Sequence, residues 1–412
     1  MAEGSVSHAR SPRAARHLVA LAAAAFLLKV AIALSSYGST DVLIFEADLE
    51  KLRQDGAVAL YRDGVRTRWC GEPGQRVCPP FIHPPFMIHA LAGWGALSRI
   101  SGLPIGFWLR FTCAAADVGS LVLVMRMLRS TRRDPGTQIA LALFAASPIA
   151  ILVSGFHGNT DPIMIFFVLL SVWYLESRRP AWLAGAALGM AASIKILPVL
   201  LAPAALLSLP GPRLRIGFAA GAVAVFLAAS MPVLAEAPEL VITRVLGYGS
   251  QSGPWGLSFF ALASIQSPDI SWVYDVHTRY GKIVSLLLIL GATFWPRPRP
   301  SPNALFMRAG FLMFLFLSLT PGFGVQYLAW LVPWVVALGD GATVLYYLAG
   351  AAFLLSYYTA AAGRFPWYLA NSLERTAWTT TVISLGLICW VVVCCIAFIY
   401  VRSLRAARVD PP

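Results

Sequence analysis

The stretch LVALAAAAFLLKVAIALSSYGSTDVLIFEADLEKLRQDGAVALY, residues 18–61, joins an apolar run to the most acidic segment of the chain. Leu18 to Leu34 comes close to the roughly 20 residues that cross a bilayer core as a helix. No small-residue cleavage site ends it, so it is expected to persist as a first membrane helix. Ser39 to Tyr61 follows at once, where the chain leaves the membrane. There Val42, Phe45, Leu49 and Leu52 recur at helical spacing, which predicts an amphipathic helix in the membrane interface.

The rest of the chain repeats the first half of that pattern. Of 412 residues, 58% are apolar and 12% charged, and the charged share is about half that of soluble domains. No long alternating strand interrupts the apolar runs, and membrane helices satisfy their own backbone hydrogen bonds. The expected fold class is all-α: a polytopic integral membrane protein of about twelve transmembrane helices, one domain over residues 1–412. The net charge of +13 is spread as short Arg clusters between apolar runs. That is the positive-inside pattern of cytoplasmic loops, so no nucleic-acid partner is expected.

Charge then orders the spans. Arg10, Arg13 and Arg16 put residues 1–17 in the cytoplasm, so the first helix delivers residues 35–104 to the outer side. The next basic cluster, Arg126 to Arg133, is expected inside, and the short run Pro84 to Leu97 is read as an interfacial element. Ala181 to Leu209 lies between two basic clusters, Arg178–Arg179 and Arg213–Arg215. Equal flanks require an even number of crossings, so this run must be two short helices turning near Ser193 and Lys195. Residues 235–280 form a second outer loop and 402–412 a cytoplasmic tail. Both termini are expected in the cytoplasm, in a multi-pass protein of the plasma (inner) membrane of a bacterium or the endoplasmic reticulum of a eukaryote.

Most Asp and Glu residues fall on the outer side of this topology, although acids contribute little to orientation. Chemistry on that face would account for them. Asp41 opens the amphipathic helix, either as its N-cap or as a general base at the membrane surface. Glu46 and Asp48 are further carboxylates, read otherwise as a solvated helix face. The loop SGFHGNTDP, residues 154–162, gathers His157, Asn159 and Asp161 at a hydrophobic boundary; Asx-Pro turn chemistry is its ordinary reading. Asp117 is an intramembrane acid whose partner must come from another helix. Lys195 is the candidate cation for a phosphate, or else a snorkelling Lys. Gln326 and Tyr327 sit at another outer mouth. Cys70 and Cys78 could form a disulfide if their loop faces an oxidising compartment, and no metal-ligand set stands out.

The order of these features resembles the membrane glycosyltransferases of the GT-C fold. Among them it resembles especially the polyprenyl-phosphate-mannose-dependent type grouped as glycosyltransferase family 87 and the related GPI-type mannosyltransferases. TDVLIFEADLEKLRQDGAVALY is similar to that family's acidic run in the first outer loop and puts its acid at Asp41. HPPFMIHAL is similar to its Tyr-Pro-Pro segment, with His83 where Tyr is usual. The stretch from SGFHGNTDP to SIKILP is similar to its HGQxD and Lys-Pro elements, with Asn159 for Gln. QYLAWLVPW resembles its late aromatic-Pro motif.

The resemblance implies transfer of a sugar, mannose most often, from a polyprenyl-phosphate donor to a glycolipid or glycan acceptor on the outer face. Asp41 would be the base of an inverting displacement, Lys195 would neutralise the departing phosphate, and His157, Asn159 and Asp161 would orient substrates. No cofactor is expected beyond the lipid-linked donor as substrate, and the lack of a strong metal-ligand set leads to an expectation of metal independence. The competing reading from the residues alone is a multi-span transporter or flippase of lipid-linked sugars. Against it, no internal repeat of the transporter type is visible.

Overall fold

Apolar runs that must close their own hydrogen bonds become helices, and Pro and Gly residues set several of their ends. A computed structural model of the chain describes residues 12–66, 77–78, 80–129, 134–231, 233–248, 253–295 and 303–406. Helix α1 spans Pro12–Ser35 and α2 spans Thr40–Asp63. Helix α3 spans Phe86–Ser101 and α4 spans Ile105–Met127. By length and composition six helices among the described residues can cross a membrane: Arg16–Ser35 within α1, Ile105–Met127, Pro135–His157, Pro212–Ser230, Asp340–Ala362 and Thr380–Ala406. Four shorter apolar helices, Ala181–Ile194, Leu197–Ser208, Ala304–Leu319 and Val325–Leu338, pack with them. The chain is a polytopic all-α membrane protein.

The expected double helix at 181–209 is present. Ala181–Ile194 ends at Lys195, whose backbone is extended, and Pro198 opens the next short helical piece. Pro lacks the N–H that a helix interior needs, so the chain restarts there instead of continuing. Helix α3, at 16 residues, rises only about 24 Å and packs on α2 and α4. Helix α2 carries one feature the periodicity did not foresee. Gly56 has φ 82° and splits it into two helical pieces.

Two contacts tie these helices together. Gly38–Ser39 pairs in parallel with Leu369–Ala370, tying the exit of α1 to the chain beyond Asp340–Ala362. Backbone carbonyls of Phe218 and Ala222 sit where side chains would stand on Gly185 and Gly189. Helices Ala181–Ile194 and Pro212–Ser230 thus touch backbone to backbone, as small residues permit in membranes. At the opposite ends Arg126 lies 5.3 Å over Trp173 and Arg405 4.5 Å over Trp295. Arg126 and Arg405 therefore lie at one end of the bundle, and the acidic helix α2, which starts at the Gly38–Ser39 contact, belongs to the other. Cys78 lies in a two-residue strand against Val65–Arg66, whereas Cys70, the other half of the expected disulfide, lies outside the described residues.

Candidate active site

The entry to α2 sets the first carboxylate. Ser39, not Asp41, is the N-cap: its Oγ accepts from the Asp41 N–H at 3.2 Å and donates to the His157 carbonyl at 2.7 Å. Asp41 is thereby released from capping and sits in the first helical turn, where the helix dipole favours negative charge. Its Oδ2 faces His157 Nε2 at 3.1 Å and accepts from the Asn159 amide. Among the described residues no hydrogen bond reaches Oδ1, and the side chain is 27% exposed. One oxygen is held and the other is open.

His157 ends a π-helix, Ile151–His157, closed by Gly158 at φ 79°. Its Nδ1 lies 3.1 Å from the Tyr358 hydroxyl. With a proton on Nε2 the ring donates to Asp41, while Nδ1 and the Tyr358 hydroxyl share the second hydrogen bond. The Asn159 carbonyl accepts from Cys113 Sγ at 3.0 Å, which ties this loop to α4.

Asp161 opens the helix Asp161–Glu176 and is fully buried. Its Oδ1 accepts from Lys195 Nζ at 2.6 Å and from the Trp330 indole, and its Oδ2 has no partner among the described residues. Lys195 Nζ also lies 5.4 Å over the Tyr327 ring and 5.8 Å over Trp330, two rings stacked at 4.0 Å. The cation expected to meet a phosphate is thus held by a buried acid and an aromatic pair at the break after Ile194. Asp161 thus fixes the Lys195 ammonium from a fully buried position.

His83 hydrogen-bonds the Ile194 backbone, and its own carbonyl accepts from Tyr61 at 2.5 Å. Burial first, then the Lys195 ammonium, pushes its imidazole down to about 3. It is neutral at physiological pH and feels both the Lys195 and the Asp41 charges. At Asp41 burial would raise the carboxyl, but His157, Asn159 and Lys195 outweigh it and bring the value down to about 2. The carboxylate is therefore ionised at any physiological pH.

The other expected residues lie apart. Glu46 accepts from the Tyr37 hydroxyl, and burial raises its carboxyl even though that bond and Arg110 act against it. Asp48 is 3% exposed and raised to about 8 by burial. Asp117 finds the inter-helix partner the sequence requires: Lys29 of α1 at 2.5 Å, with Ser154 donating at 2.6 Å. Gln326 lies with its amide beside Gly324, while its neighbour Tyr327 joins the Lys195 site. No group of three His, Cys, Asp or Glu that could hold a metal ion occurs among the described residues.

Sequence reasoning missed Tyr358, Cys113 and Ser39. The first two sit in apolar runs where nothing distinguishes them from packing residues; only the S-T-D start of α2 signalled a Ser cap. The arrangement presents an ionised carboxylate with one open oxygen, a His hydrogen-bonded to the other, and a Lys beyond. No individual curated protein matches the chain. The sequence pattern of glycosyltransferase family 87 matches residues 81–320, more than half of the chain. That span carries His83, the 157–161 cluster and Lys195, and it begins after Asp41. The match and the polytopic helical fold agree: the chain belongs to glycosyltransferase family 87.

Proposed function

We propose that this glycosyltransferase moves a sugar, mannose as first choice, from a polyprenyl-phosphate donor to a glycolipid or glycan acceptor at the outer face of the membrane. The observation that carries the reading is the asymmetric Asp41 carboxylate, with Oδ2 bound by His157 and Asn159 and Oδ1 open. The acceptor hydroxyl attacks the anomeric carbon as the bond from that carbon to the phosphate oxygen breaks. The proton passes to Asp41, and the leaving polyprenyl phosphate keeps the bonding electrons near Lys195. One displacement inverts the anomeric centre and needs no protein nucleophile.

A carboxylate held near a value of 2 is a weak base. It takes the proton late, once bond formation at carbon has acidified the hydroxyl. Placement on the outer face is supported by the basic clusters at the far end of the bundle, since cytoplasmic loops collect Lys and Arg. Nucleotide sugars are cytoplasmic, so an outer-face enzyme would take its sugar from a lipid carrier.

The test uses the full chain in lipid with a panel of radiolabelled polyprenyl-phosphate sugars, with and without a chelator. Asp41→Asn should fold and insert normally yet lose transfer about 10²–10⁴-fold, and the chelator should leave wild-type activity intact. Near-wild-type transfer by Asp41→Asn would sink the assignment of the base, and loss of activity to the chelator would overturn metal independence.

A further inference from the structure

Three glycines from three separate parts of the chain close on one side chain next to the base. A methyl added to Gly106 of α4 would lie 2.6 Å from Val42 Cγ1. One added to Gly158 would lie 2.6 Å from Val42 Cγ2, and one on Gly38 would lie 3.0 Å from the same atom. Val42 itself is 2% exposed. Gly38 and Gly158 also need their left-handed backbone, φ 114° and 79°, but Gly106 sits in an ordinary helix. For Gly106 conformational freedom explains nothing, and the room it leaves is room for Val42.

The position of that contact matters for Asp41. Val42 follows it on α2, Gly38 precedes it, and Gly158 lies between the two residues, His157 and Asn159, that hold its Oδ2. We propose that Val42 is a positioning residue: seated in the socket of Gly38, Gly106 and Gly158, it fixes the bearing of the Asp41 carboxylate against His157 and Asn159. The inference rests on Asp41 being the base. An error of about an ångström in a reacting group can lower a rate by about 10²-fold, so a methyl-sized displacement is enough to be read kinetically.

The test is a swap of volume across the contact. Gly106→Ala adds the clashing methyl, Val42→Ala makes room for it, and the double variant combines them. In full-length protein in lipid, with the radiolabelled donor that wild type uses, Gly106→Ala should lower kcat at least tenfold. Its KM for that donor should stay within about threefold of wild type. The acid limb of its rate profile should also move up, because Asp41 loses the contacts with His157 and Asn159 that oppose burial, while Lys195 and neutral His83 stay in place. The double variant should recover most of the lost kcat.

Wild-type kcat in Gly106→Ala, or a loss that Val42→Ala does not relieve, would overturn the proposal. If Gly106→Ala does not fold, Val42→Ala alone decides: a lower kcat with a raised acid limb supports the socket, and an unchanged profile refutes it. Asp41→Asn run alongside separates the two ideas. Activity in that variant removes the base itself, whereas a dead Asp41→Asn with an unperturbed Gly106→Ala removes only the role of Val42.

Discussion

Asp41 and Asp48 stand seven residues apart on α2, nearly two full turns and so close to one face, and burial pushes both carboxyls upward. They end at opposite extremes because only Asp41 has partners. With His157, Asn159 and Lys195 around it, Asp41 falls to about 2; Asp48 accepts no hydrogen bond among the described residues and rises to about 8. Asp48 therefore leaves a mark on stability. Between its ordinary value of 3.8 and about 8, the folded chain holds a proton that the unfolded chain has released. Stability must fall as pH rises through that window. Thermal unfolding in detergent should show the wild-type midpoint dropping from pH 5 to pH 8, and Asp48→Asn should flatten that slope; equal slopes in the two proteins would contradict the assignment. Helical periodicity ranked the two acids alike, and resemblance, not pattern, favoured Asp41. What separates them physically is a set of partners more than a hundred residues away, which no local pattern records.

At the scale of elements, α1 and α4 are joined by a buried guanidinium. Arg110 of α4, 1% exposed, donates from Nη2 to the carbonyls of Ala33 and Ser36, from Nη1 to Ser36 Oγ and from Nε to its own Gly106 carbonyl. The last carbonyls of a helix have no partner within it, and a cation there also meets the negative end of the dipole. Arg110 thus caps α1 and fixes the point from which Tyr37 to Ser39 lead into α2. Lys cannot reproduce the fork. Arg110→Lys should lower stability by about 2–4 kcal/mol, read as a clear fall in the thermal midpoint, and an unchanged midpoint would refute the capping role. In the sequence Arg110 lies within an apolar run, and nothing local records the carbonyls it reaches. The break at Lys195, in contrast, was legible in advance, because charge parity around 181–209 forces two short helices whatever they pack against.

For the whole molecule, the ion pair of Lys29 with Asp117, whose same oxygen also accepts from Ser154, fastens α1, α4 and the π-helix inside the bundle. Removing one partner of a buried pair leaves an uncompensated charge and costs about 3–5 kcal/mol, whereas replacing both with apolar residues is often neutral. Lys29→Met should therefore destabilise the purified protein more than the double variant Lys29→Met with Asp117→Leu. A double variant worse than the single one would mean that the pair stabilises the bundle on its own account. By itself the sequence determined that this chain crosses a membrane repeatedly as helices, where its basic loops fall, and that polar residues cluster at 41, 157–161 and 195. Hydropathy, Arg placement and proline breaks are local quantities, so one sequence suffices to read them. Only the tertiary structure decided that Asp161 holds Lys195 and Trp330, that Tyr358 backs His157, and that Val42 fills a socket of three glycines. Those pairings depend on how each helix is rotated against its neighbours, and that rotation is set by packing across the whole bundle.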